Sequence, residues 1–131
     1  MASPTATDTA RRRVLLVEDD AAVRRSLQLL LVAQGYDVRA YQSAAGLADD
    51  PEALRADCLV ADLMIPDGNA VTLLSKLRAC GWNGKAVLIS GHLTNDWAET
   101  ALANGYAAAF AKPIGDRVLT NCLTRLMPAA V

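Results

Sequence analysis

Four short apolar runs, at 14–17, 58–61, 86–89 and 107–111, each stop at a polar residue: Glu18, Asp62, Ser90 and Lys112. A run of this length with no polar face suits a strand covered on both sides, the usual state of strands in a parallel sheet. The stretches between them repeat at helical spacing. Val23, Leu27, Leu30 and Leu31 share one face, with Arg24, Arg25 and Gln28 turned away. Ala70, Leu73, Leu74 and Leu77 repeat the pattern, as do Leu119, Cys122, Leu123 and Leu126.

The helix stops agree with this division. Gly35, Gly81 and Gly105 each follow a helical stretch and precede Tyr36, Trp82 and Tyr106. A glycine in left-handed conformation ends a helix, and the next apolar side chain packs back on its last turn. Asp96, with Glu99 three residues on, is the pair expected to cap the fourth helix. Segment 36–41 carries Asp37 and Arg39 and reads as a more polar edge strand. A second helix is expected around 43–55, although Gly46 and Pro51 interrupt it. Strand and helix alternate five times, which predicts an α/β fold: a five-stranded parallel sheet with right-handed crossovers and helices on both faces.

The 131 residues suffice for one domain with a core. The expected division is a tail over 1–12 and a folded domain over 13–128. Arg11, Arg12 and Arg13 read as a solvated tail before the first strand rather than as a nucleic-acid patch. A formal net charge of -1 gives no overall pull toward nucleic acid or an anionic membrane. The small, polar start lacks the apolar run of a signal peptide, and no apolar stretch approaches the roughly 18 residues of a membrane span. Cys58, Cys80 and Cys122 are odd in number and set among apolar residues, so they read as reduced core thiols of a cytoplasmic protein.

In a parallel sheet all strand C-termini lie along one edge, and ligands bind in the crevice outside them. Glu18, Asp19, Asp20, Asp62, Ser90 and Lys112 should therefore converge there. Taken singly, each has a plain structural reading: Asp19 or Asp20 as a helix N-cap, Ser90 as a turn former, Lys112 as a surface lysine. Together they make a chemical set. Crowded carboxylates invite a hard cation with oxygen ligands, and Mg2+ suits them because it keeps waters that a phosphate can displace. A lysine and a hydroxyl suit phosphate oxygens. A carboxylate can act as nucleophile in phosphoryl transfer and become an aspartyl phosphate.

At this point the sequence resembles a family. Glu18-Asp19 after Val-Leu-Leu-Val, Asp62-Leu-Met-Ile-Pro66-Asp67-Gly68, Ser90-Gly91 and Lys112-Pro113 together resemble the receiver domains of bacterial two-component systems, over about residues 13–127. The resemblance implies a flavodoxin-like (β/α)5 fold with strand order 2-1-3-4-5. It implies that Asp62 accepts a phosphoryl group from the phosphohistidine of a histidine kinase or phosphotransfer protein. Glu18, Asp19, Asp62 and the Met64 backbone carbonyl would hold Mg2+, while Ser90 and Lys112 would contact phosphoryl oxygens. Lys112-Pro113 matches the family's cis peptide. Signal output is expected through the last two helices and last strand, Trp97 included, with a homodimer as one form it takes. The chain itself is a signalling phosphoacceptor rather than an enzyme on this reading, without direct nucleic-acid or membrane binding.

Two positions depart from the family pattern. Ala70 stands where glycine is usual, so the loop after Asp62 is expected to run differently. Ala109 stands where a large switch residue is usual, which puts the usual signalling rearrangement in question. His92 and Met64 occupy positions that tune phosphate lifetime in related receivers, although a plain loop histidine is the stronger reading of His92 taken alone. Two other functions compete with this one. A pseudo-receiver, signalling without phosphate, draws on Ala70 and Ala109, but the complete acid, Asp, Ser and Lys set opposes it. An enzyme finds no P-loop, no dinucleotide fingerprint and no nucleophile elbow, and one histidine leaves little for a triad or a zinc site.

Overall fold

The computed structural model describes residues 11–128, and the strands of its five-stranded sheet pair wholly in parallel. In chain order the main elements are β1 (Arg13–Val17), α1 (Ala21–Ala33), β2 (Asp37–Tyr41), β3 (Cys58–Asp62), α2 (Ala70–Ala79), β4 (Lys85–Ser90), α3 (Asn95–Ala103), β5 (Ala108–Ala111) and α4 (Asp116–Leu126). The sheet order is β2-β1-β3-β4-β5, the order expected. A register of Val17 against Ala61, and of Asp62 against Ile89, brings the ends of the central strands level.

Alternation along the strands explains why the runs are apolar throughout. Leu15, Val17, Leu59, Ala61, Ala86 and Leu88 face one core, which takes Leu73, Leu74 and Leu77 of α2 and Ala101 of α3. Val14, Leu16, Cys58, Val60, Val87 and Ile89 face the other, with Leu27 and Leu31 of α1 and Leu119 and Leu123 of α4. Neighbouring strand residues point to opposite faces, so a strand between two layers of helices needs apolar side chains at every position. Each fully buried leucine contributes about 1.5–3 kcal/mol relative to exposure.

Four expectations need correction. The 43–55 segment is two 3-10 turns, Leu47–Asp49 and Ala53–Arg55, not a helix. Gly46, left-handed at φ 74, precedes the first turn, and Pro51, which has no N–H to donate, lies between them. Leu47 and Ala53 are buried nonetheless, so the turns still close the core. The fourth expected helix, α3, is capped by Thr94, whose hydroxyl accepts from the Trp97 N–H at 3.1 Å, and not by Asp96 with Glu99. Cys80 is exposed at the C-cap of α2, outside the core that holds Cys58 and Cys122; all three thiols are free. The last run is half-exposed, because β5 is an edge strand paired with β4 alone.

The basic stretch is also less solvated than expected. Arg13 opens β1 and pairs with Asp37 at 3.0 Å and Glu52 at 3.1 Å. Arg12 lies 3.6 Å from Asp57 and donates to the Pro128 carbonyl at 3.4 Å. Residues 1–10 of the expected tail lie outside the described residues. Among the described residues no helix is long and apolar enough to cross a membrane.

Candidate functional site

The polar residues that end the apolar runs meet at one edge of the sheet. Asp62 and Ser90 are the last residues of β3 and β4, while Glu18 and Lys112 directly follow β1 and β5. Glu18 continues the strand pairing, its N–H donating to the Tyr41 carbonyl at 3.0 Å, and its side chain is fully buried. The Lys112 N–H likewise reaches the Ser90 carbonyl at 2.8 Å, and the Lys112–Pro113 peptide is cis. Main-chain pairing thus sets where each functional side chain begins.

Lys112 Nζ is the hub. It donates to Asp62 Oδ2 at 2.7 Å and also to Glu18 Oε1. Glu18 Oε2 accepts from the Asp20 N–H at 3.2 Å, and Asp62 Oδ1 accepts a long contact of 3.4 Å from the Met64 N–H. Asp20 faces elsewhere: its carboxylate caps α1, accepting from the Ala22 and Val23 N–H groups at 2.9 and 3.0 Å. Asp19, Asp62, Met64, Ser90, Gly91, His92 and Lys112 line a cavity of about 270 Å³. The Ser90 hydroxyl accepts from the His92 N–H at 3.1 Å.

Burial pushes the Glu18 carboxyl above its usual value, against the opposing pull of its hydrogen bonds from Lys112 and the Asp20 N–H. Burial acts to lower Lys112, but its hydrogen bonds to Asp62 and Glu18 outweigh this and raise it, so the ammonium stays charged. One carboxylate oxygen each from Glu18, Asp19 and Asp62 lies within 4.8 Å of the others. An all-oxygen, anionic donor set of this kind fits a hard divalent cation such as Mg2+.

A profile of the family described as "Response regulator receiver domain" matches residues 14–124. The chain belongs to this family. The receiver domain is 35% identical over 113 residues to the transcriptional regulatory protein FixJ of Rhizobium meliloti (strain 1021), covering 86% of this chain and 55% of FixJ. It is 33% identical over 106 residues to FixJ of Azorhizobium caulinodans, covering 81% of this chain and 50% of that protein. The crystal structure of FixJ-N superposes with a TM-score of 0.79 at 34% identity, covering 92% of this chain and 96% of that one. The receiver domain thus spans about half the length of the curated relatives it matches.

The expected departures resolve unequally. Ala70 is buried as the first residue of α2, and no residue other than glycine has positive φ among the described residues, so alanine is accommodated without backbone strain. The loop after Asp62 forms a small hairpin, Met64–Ile65 against Gly68–Asn69. Ala109 is half-buried and packs on the core beneath α2 and α3, as does Trp97, which is also only half-exposed. One residue was misplaced by periodicity. Arg24, expected to face away, is half-buried and donates from Nη1 to the carbonyls of Glu18 at 2.8 Å and Asp19 at 3.3 Å. Its only sequence signal is its place four residues after the N-cap Asp20.

Proposed function

We propose that this receiver domain takes a phosphoryl group onto Asp62 from the phosphohistidine of a histidine kinase or phosphotransfer protein. The observation that carries the reading is the convergence of Lys112, Glu18 and Asp19 on Asp62 at the floor of an open cavity. An Asp62 carboxylate oxygen attacks phosphorus, the P–N bond to the donor histidine breaks, and the electron pair leaves with the imidazole. The product is a mixed anhydride, an aspartyl phosphate. The protein needs only to align the nucleophile and balance charge.

Lys112 holds Asp62 in place beforehand and, as a fixed cation, neutralises charge on the incoming phosphoryl oxygens. Ser90, buried at the cavity wall, has a hydroxyl that can donate to a phosphoryl oxygen. Glu18, Asp19, Asp62 and the Met64 carbonyl are the proposed holders of Mg2+, which when bound supplies further charge neutralisation. His92 and Met64 line the mouth and would set how readily water reaches the phosphoryl group. The domain acts as signalling phosphoacceptor, catalysing at most its own transfer and slow dephosphorylation, in the cytoplasm. Its output surface is the face of α3, β5 and α4, with a second copy as one partner.

The test is labelling with acetyl phosphate or a phosphorylated kinase, expected only with Mg2+ present and absent from Asp62→Asn. Full labelling of that variant would sink the assignment. A phosphorylation-independent module is not favoured, because it has no use for a buried Glu18 paired with Lys112 beside Asp62.

A further inference from the structure

The turn from β1 into α1 carries three acids in succession, Glu18, Asp19 and Asp20, and two of them lie in the group that can hold a cation. A chain with that much negative charge in one turn needs something to fix the direction of each carboxylate. Asp20 is fixed by the α1 N–H groups it caps. Glu18 is fixed by Lys112 and the Asp20 N–H. Asp19 is exposed and makes no side-chain hydrogen bond or ion pair among the described residues. What the backbone on either side sets is therefore the direction of its Cα–Cβ bond, from which the carboxylate reaches out.

That backbone is held by one side chain. Arg24 donates from a single Nη1 to the carbonyls of Glu18 and Asp19, at 2.8 and 3.3 Å, so both peptide planes that flank the Asp19 Cα are pinned. Its own N–H closes the first turn of α1 on the Asp20 carbonyl at 2.8 Å. Helical side chains lean toward the N-terminus, so an arginine in the first turn and a half reaches back over the incoming turn. Arg24 enters no ion pair among the described residues, although three carboxylates stand in the turn it spans. The guanidinium is spent on main-chain carbonyls, in the manner of the outer partners that orient metal ligands.

We propose that Arg24 is a positioning residue for the cation site, holding the Glu18–Asp19 backbone so that Asp19 presents its carboxylate beside Glu18 and Asp62. This rests on the Mg2+-assisted reading of the site and adds a residue that touches neither cation nor phosphate.

The experiment titrates Mg2+ into the full chain and into Arg24→Gln and Arg24→Lys, following amide shifts of Asp19 and Asp62. Acetyl-phosphate labelling rates are then measured against Mg2+ concentration. Arg24→Gln should weaken Mg2+ binding about tenfold, while its labelling rate at saturating Mg2+ stays within about twofold of the unchanged chain. Arg24→Lys keeps a charged donor and should fall between the two. A merely structural arginine would change unfolding without this split between half-saturation and saturated rate. Unchanged Mg2+ affinity in the folded Gln variant, or in the Lys variant if the Gln variant does not fold, overturns the proposal. Absence of Mg2+ binding by the unchanged chain would overturn the underlying reading as well, which separates the two failures.

Discussion

Lys112 Nζ stands 2.7 Å from Asp62 Oδ2 and at the same time bonds to Glu18, whose side chain is fully buried. One ammonium therefore balances two carboxylates that would otherwise repel each other at the end of the sheet. On the proposed function, the same ammonium would meet the oxygens of a phosphoryl group on Asp62.

Lys112→Ala leaves Glu18 and Asp62 without their cation. In the absence of Mg2+ it should cost about 2 kcal/mol of stability, the scale of a buried polar group left unpaired. Metal binding should survive, since lysine is no ligand, and Mg2+ should restore stability more in the variant than in the unchanged chain. Urea unfolding with and without Mg2+ reads both effects. Equal gains from Mg2+ in the two proteins would mean that Lys112 does not carry this charge balance.

Burial pushes the Cys58 thiol up to about 12 from its ordinary value of 9.0. Tyr106 is raised in the same way, by burial of the ring whose hydroxyl donates to the Ala70 carbonyl. A raised folded value means that the folded state keeps its proton where the unfolded state has lost it. The stabilisation from keeping Cys58 protonated is complete below pH 9.0 and is lost as pH climbs toward about 12. Urea midpoints should fall steadily over that window, less steeply in Cys58→Ala. At pH 8 a thiol reagent should modify exposed Cys80 and spare Cys58. Rapid labelling of Cys58 in the folded protein would contradict the burial argument.

Gly84 is required for space rather than for backbone freedom. A Cβ there would lie 2.3 Å from Trp82 Cζ2 and 2.7 Å from the Asp57 carbonyl oxygen. The Trp82 indole cannot step aside freely, because its Nε1 donates to the buried Ala56 carbonyl at 2.8 Å and Arg78 stacks 5.0 Å from its ring centre. Gly84→Ala should destabilise the fold by about 1–3 kcal/mol, with phosphorylation retained under native conditions. A midpoint within error of the unchanged chain would show that the Trp82 corner repacks at no cost.

The conformational response should be centred away from Ala109. Alanine lacks the large side chain usual at this position, and Phe110 belongs to the opposite core, so it cannot take over. Trp97 and Leu93 share the Ala109 core and flank the Thr94 cap of α3, which makes the 90–97 segment the element with room to change. A beryllofluoride mimic should shift amides there more than at Ala109. Trp97→Ala should impair partner binding or dimerisation more than labelling. Large shifts confined to Ala109 and Phe110 would refute this, and equal loss of binding and labelling would make Trp97 simply core.

The number of strands, their parallel pairing, the ends of most helices and the acid, Asp, Ser and Lys set were readable from residue order, while the strand order came from the family resemblance. The reason is that an apolar run, a helix-ending glycine and a polar residue at a strand end report local chemistry. Gly35, Gly81 and Gly105 are all left-handed, as their spacing before an aromatic predicts. What residue order left open was decided by packing across the sheet. The 43–55 segment buries Leu47 and Ala53 with no more than two 3-10 turns, an economy that no periodicity announces. Cys80 looks like core by its neighbours but ends up exposed, because α2 stops there and Trp82 takes the buried place. Arg24 falls on the polar side of the α1 helical pattern, yet its length carries the guanidinium back to the Glu18 and Asp19 carbonyls. Periodicity tells which way a Cα faces; where a long side chain ends depends on acceptors supplied by other parts of the chain, and only the tertiary structure brings those within reach.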